Sequence, residues 1–170
     1  KAQAVQEKIE LLEKFQSKST VVNPSISNVE VFSIITDDKA GYVNFLKVMN
    51  GAIMQGHTIE LKKKLDESDQ ELLTLAIAEL RERFSSDSKE VIVPFEIETE
   101  FPNVTFLVPQ RGDKKQLLEL SERNVEYYRK EKLKQEISGQ SVILFHEAYA
   151  YVAEDYGLQV NYLLDLDEER

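Results

Sequence analysis

YVNFLKVMNGAIMQGHTIEL, residues Tyr42 to Leu61, reads as two strands joined by one tight turn. Asn50-Gly51 between two apolar-rich runs is the strongest hairpin signal in the chain, because a type I′ turn needs positive φ at both central residues. Tyr42 to Val48 is expected as one strand and Ala52 to Leu61 as its partner, ending in Lys62, Lys63 and Lys64. Just upstream, Val29, Val31 and Ser33 alternate with Glu30, Phe32 and Ile34, which predicts another strand. Thr36-Asp37-Asp38 reads as the turn that leaves it. The three strands make an antiparallel meander.

Downstream the period changes. Ser68 to Phe84 is expected as a helix with Leu72, Leu75, Ala76, Glu79, Leu80 and Phe84 along one side, capped by Asp66 or Ser68. After the polar break Ser85 to Ser88, Val91 to Ile97 reads as a strand interrupted by Pro94, hence short or at an edge. In VTFLVPQRGDKKQLLEL, Val104 to Leu120, a strand from Val104 to Val108 stops at Pro109, which has no N–H for a ladder. Gly112 permits positive φ, Asp113 is a plausible N-cap, and a long helix runs from Lys114 to about Gln135. The order is β-β-β-α-β-β-α. This is an α/β (α+β) chain close to the ribonuclease-H-like mixed sheet, with Thr99 to Asn103 where that fold usually places a helix.

Both ends carry additions. Ala2, Val5, Ile9 and Leu12 follow a 3–4 spacing, so residues 1 to about 18 predict an N-terminal helix with one apolar stripe. Asn23-Pro24-Ser25 marks a linker. From about Ile137 the chain reads as a strand (Val142 to Phe145), a helix (Glu147 to Asp155) capped by Gly157, and a strand (Val160 to Leu164). The expected organisation is residues 1–22 as helix and linker, 23–136 as the ribonuclease-H-like domain, and 137–170 as a β-α-β tail. The first residue is Lys, so the chain is read as a piece of something longer.

Composition bounds the function. The chain has 170 residues, 42% hydrophobic and 31% charged, which suits a folded, soluble domain. It has no cysteine, which removes disulfides, thiolate zinc sites and a cysteine nucleophile, and which fits a cytoplasmic protein. No apolar run approaches the roughly 20 residues of a membrane helix. There is no Walker loop, GxSxG elbow or GxGxxG, and no small-molecule substrate is expected. The net charge of −10 counts against strong autonomous DNA binding unless cations gather on one face.

Such a gathering exists around the last strand–helix junction. Gln110, Arg111, Gly112, Lys114 and Lys115 surround a loop and helix N-terminus, a geometry suited to holding an anion, and Arg123 follows on the helix. The competing reading is a solvated helix face on which Arg129, Lys130, Lys132 and Lys134 are balanced by Glu119, Glu122, Glu126 and Glu131. Tyr127 and Tyr128 have the aromatic surface to stack bases, or to pack within the fold.

The segments KSTVVNPSISNVEVFSI, VNFLKVMNGAIMQGHTIELKKKL, ELLTLAIAELRERF, KEVIVPFEIE and VPQRGDKKQLLELSERNV, taken in order, resemble the UvrC family, nuclease subunits of the bacterial UvrABC excision-repair system, in the version typical of the Bacteroides group. The resemblance covers roughly residues 1 to 135. It implies the end of the UVR helical motif, whose Val5, Ile9 and Leu12 would contact UvrB, followed by an inactive ribonuclease-H-like domain. It further implies dual incision of damaged DNA by the parent protein, with Mg²⁺ in the parent's active domain and no cofactor in this piece. UvrB and damaged DNA are the implied partners, and Gln110, Arg111, Gly112, Lys114, Lys115 and Arg123 would touch DNA or a neighbouring domain.

The tail departs from that family. SVILFHEAYAYVAEDYGLQVNYLLDLDEER resembles the zinc and manganese ABC-transporter binding proteins, where an FHDAY-like motif supplies a metal-ligating histidine, here His146. That resemblance implies an alternative, a metal-binding lobe of a solute-binding protein. A third reading is an interaction module carried by the helix from Ala2 to Phe15.

Catalysis has little support in the residues. A ribonuclease-H-type site needs three or four carboxylates converging on two metal ions, one of them in the middle of the first strand. Here the middle positions are Val31, Phe32 and Ser33. Asp37 and Asp38 read as turn residues, and Glu30, near the strand start, is expected to face solvent. His57 reads as a polar-face residue of its strand, and one histidine does not make a zinc site.

Overall fold

The computed structural model describes residues 23–144 and 150–163. Its core is a five-stranded mixed sheet of order β3-β2-β1-β4-β5. The strands are β1 (Val29–Thr36), β2 (Ala40–Met49), β3 (Ala52–Lys62), β4 (Glu90–Ile92) and β5 (Thr105–Leu107). β1, β2 and β3 form the expected antiparallel meander. At the β2–β3 turn both Asn50 and Gly51 have positive φ, 51° and 75°, as a type I′ turn requires. Asp37 shapes the other turn through its Oδ1, which accepts from the backbone N–H groups of Lys39 and Ala40.

β4 is short, three residues, one of the two expected outcomes, and it is interior: it lies between β1 and β5 and is parallel to both. Pro94 falls just beyond it, where a missing N–H costs the ladder nothing. No helix interrupts the connection from 93 to 104, which leaves the sheet to β5 directly. This arrangement is a ribonuclease-H-like sheet.

The side-chain period of β1 divides the core into two layers. Val29, Val31 and Leu46 pack with Leu117 and Leu118 of helix α2 (Asp113–Ile137), and Ile35 joins Val125 and Tyr128 farther along it. Phe32 instead faces helix α1 (Asp69–Arg83) with Val43, Phe45, Leu73, Ala76, Ile77 and Leu80. Phe32 and Phe45 meet at 5.0 Å between centroids, and Phe84 stacks on Phe45 at 5.5 Å. Burying each such aromatic ring is worth about 1.5–3 kcal/mol.

α1 begins as expected. Ser68 is its N-cap and forms a capping box with Glu71. Its buried face differs from the expected one: Leu73 and Ile77 are inside, whereas Leu75 is 59% exposed and Glu79 is exposed. A helix lying on a sheet buries a broad stripe, so neighbours such as Leu72 and Leu73 both go in, and Leu75, about 200° around from Leu73, cannot.

The chain divides into two compact units, residues 1–128 and 129–170. In the second, β6 (Ser141–Leu144), α3 (Ala150–Asp155) and β7 (Gln159–Leu163) form a β-α-β piece with parallel strands. Gly157, at φ 67°, ends α3, and the N–H of Leu158 bonds back to Ala153. Asp155 pairs with Lys130 at 3.1 Å and Lys134 at 3.2 Å, and these two ammonium groups hold its carboxyl below the usual range. Val5, Ile9, Leu12 and His146 lie outside the described residues. Among the described residues no helix is long and apolar enough to cross a membrane.

Candidate nucleic-acid interface

The middle of β1 is where a two-metal nuclease of this fold would carry a carboxylate. Ser33 stands there, fully buried, with its Oγ 2.7 Å from Ser121 Oγ on α2. Ser121 donates to Asn44 Oδ1 at 2.8 Å, and Asn44 Nδ2 donates to Thr58 Oγ1 at 2.9 Å. A short, satisfied hydroxyl–amide chain thus joins three strands to the helix, with every member neutral.

Glu30 is a correction. It is not solvent-facing but completely buried, pointing to the α1 side. Arg81 forks over it, with one guanidinium nitrogen on Glu30 Oε2 and the other donating to the Ser88 carbonyl at 3.0 Å. Lys47 Nζ lies 3.5 Å from Glu30 Oε1 and donates to Ser88 Oγ at 2.7 Å. Burial pushes the Glu30 carboxyl above the usual carboxylate range, against the pull of Arg81 and Lys47. The one carboxylate in the body of β1 is therefore committed to two cations and turned away from Ser33. Among the described residues no three His, Asp or Glu side chains are placed to share a metal ion. The residues at the centre of the sheet do not fit a pair of divalent ions.

The cationic junction is built differently. β5 ends at Leu107, and the chain turns through Pro109 to Gly112, whose φ of 79° only glycine adopts freely. The Gly112 carbonyl accepts from the Gln116 N–H, so α2 starts one residue earlier than expected. Asp113 consequently sits inside the first turn, where its carboxylate suits the helix dipole and accepts from Asn23 Nδ2 at 2.9 Å, rather than acting as N-cap. Arg111 is exposed, Lys115 half-buried and Gln110 exposed, with its Nε2 donating to the Val108 carbonyl at 3.4 Å. Lys114 reaches Glu90 at the start of β4, Nζ to Oε1 2.7 Å, with both side chains about a third exposed at 38% and 34%. Arg123 is exposed, about 180° around the helix from Lys114 and about 80° from Lys115, two turns farther on.

The family model for the UvrC Ribonuclease H-like domain matches residues 28–132. The chain belongs to the UvrC family. It is 62% identical over 134 residues to UvrABC system protein C of Flavobacterium johnsoniae and 54% identical over 135 residues to that of Bacteroides fragilis, each alignment covering 79% of this chain. The chain spans 22% of the length of these relatives. A crystal structure of human ENDOV is similar over 51% of this chain and 46% of that chain, at 12% identity and a TM-score of 0.31, too slight a likeness to bear on the argument.

In this UvrC domain, then, Arg111 and Lys114 line one cleft, with Lys115 next along the helix and Arg123 two turns beyond it. Tyr128 is a packing residue, buried against Tyr42 at 6.2 Å, whereas Tyr127 is 41% exposed. His57 packs edge-on against Phe84 at 5.6 Å. Glu90, the partner of Lys114, and Ser121 and Asn44, which occupy the sheet centre, were not singled out from the sequence. The parallel placement of β4 beside β5 brings Glu90 to Lys114, and no local pattern encodes it.

Proposed function

We propose that this UvrC piece is a non-catalytic scaffold within the UvrABC excinuclease, which acts in nucleotide excision repair of damaged DNA in the cytoplasm. The observation that carries the reading is the neutral Ser33–Ser121–Asn44–Thr58 chain at the sheet centre of a UvrC Ribonuclease H-like domain. A site with no converging carboxylates has nothing to hold the paired cations that in-line hydrolysis needs. In the parent protein Mg²⁺ would belong to a different domain.

The scaffold's outward contact is the face made by Gln110, Arg111, Gly112, Lys114 and Lys115, which meets the phosphate backbone of DNA or an acidic surface of a neighbouring domain. Lys/Arg contacts to phosphates add affinity without sequence preference, as suits a protein that acts on lesions in any context. Val5, Ile9 and Leu12 would offer an apolar stripe to UvrB.

The test is Arg111→Glu/Lys114→Glu/Lys115→Glu in the full-length parent, read by incision of a lesion-bearing duplex in the presence of its partners. Loss of incision with an unchanged fold supports the reading, and wild-type incision removes its main support. Deleting residues 1–18 should weaken UvrB capture without unfolding the domain.

A further inference from the structure

Lys114 is the central cation of the proposed phosphate-contacting face, yet it is already paired with Glu90 at 2.7 Å. It also stands between two open clefts. Asn28 and Lys89 line one, Pro109 and Arg111 line the other, and Ser25 borders both. We propose that Glu90 is a built-in competitor for Lys114, occupying the place a phosphate oxygen would take and keeping the face from binding DNA indiscriminately. The inference rests on the phosphate-contacting reading above and adds a regulatory group to it.

Both members of the pair are partly exposed, so the pair is weak and screened by salt, and a phosphodiester can displace the carboxylate. Displacement is favoured only when other cations have already brought the duplex close. Arg111 is exposed and one short turn away, and Lys115 is adjacent. The order is then Arg111 and Lys115 first, followed by release of Lys114 from Glu90 onto a phosphate. Until that release the Glu90 carboxylate also repels the approaching backbone.

The experiment is fluorescence anisotropy of a labelled DNA duplex titrated with the full chain at several salt concentrations. Wild type is compared with Glu90→Gln, Lys114→Gln and the double variant, with circular dichroism to confirm that each is folded. Losing the Lys114 phosphate contact in Lys114→Gln flattens the dependence of log K on log salt by about 0.9, or about 3-fold less affinity lost between 50 and 200 mM. The expected result is that Glu90→Gln binds more tightly than wild type at low salt with about the same slope, and that the double variant shows the affinity and slope of Lys114→Gln. Tighter binding by Glu90→Gln that persists in the double variant would overturn the inference, because Lys114 would then not be the group released. So would identical curves for Glu90→Gln and wild type while Arg111→Glu/Lys115→Glu abolishes binding; that outcome leaves the phosphate-contacting reading intact. No binding by any variant at low salt overturns both.

Discussion

Ser33 Oγ and Ser121 Oγ lie 2.7 Å apart, buried, and tie the middle of β1 to α2. Each hydroxyl can donate one bond and accept others, so Ser121 also serves Asn44. Ser121→Ala strands Asn44 Oδ1 without a donor. It should lower the unfolding free energy by about 1–3 kcal/mol in urea denaturation, the cost of an unsatisfied buried acceptor. Ser33→Ala/Ser121→Ala should cost less than the sum of the single changes, because the two groups share one bond.

Ser33→Asp would place a carboxylate in the middle of β1. With no cation beside it, the new carboxyl would be held neutral or would destabilise the domain by several kcal/mol. Added Mg²⁺ should neither raise the melting temperature nor produce nicking of a supercoiled plasmid. Metal-dependent cleavage by this variant would show that the sheet centre retains a usable site.

Glu30, Arg81 and Lys47 form the second polar centre, on the other side of β1. Glu30→Ala takes the buried carboxylate from Arg81 and leaves Lys47 to the exposed Asp87 at 3.5 Å, and should destabilise the fold by about 3–5 kcal/mol. Its pH dependence has a defined sign. Burial raises the folded-state pKa of Glu30 above its unfolded value. The stability linked to its proton is therefore fully present below the unfolded value and is lost as pH rises through the folded one. Urea midpoints of wild type should fall relative to Glu30→Gln across that window, while Arg81 and Lys47 stay protonated. A wild-type midpoint that rises relative to Glu30→Gln instead would mean that the two cations outweigh burial.

The start of α1 depends on a local motif. Ser68 Oγ accepts from the Glu71 N–H at 3.2 Å, and the Glu71 carboxylate returns a bond to the Ser68 N–H at 2.8 Å. Ser68→Ala should cost about 1 kcal/mol by thermal denaturation, and Ser68→Asp should recover most of it.

The cationic face has a geometric control. Arg111 and Arg123 carry the same charge, but Arg123 is on the far side of α2 from Lys114. Arg111→Glu should weaken duplex binding in an anisotropy titration, and Arg123→Glu should change it far less. Equal effects would point to a diffuse field instead of a contact face.

The local signals in this chain were strong where backbone geometry is short-range. Asn50-Gly51 determined the hairpin, Ser68 with Glu71 the helix start, Gly112 the turn into α2 and Gly157 the end of α3, because each depends on φ, ψ and bonds within a few residues. The three-strand meander and the following helix were enough to indicate the sheet. Tertiary structure alone decided what faces what. The parallel insertion of β4 made an interior strand of a segment that Pro94 marked as short or at an edge, and it delivered Glu90 to Lys114. The pleat of β1 sent Ser33 to α2 and Glu30 to α1, so that a residue reading as solvent-facing became the most enclosed charge in the sheet. These outcomes rest on contacts between residues 15 to 88 positions apart, which periodicity and turn chemistry do not encode.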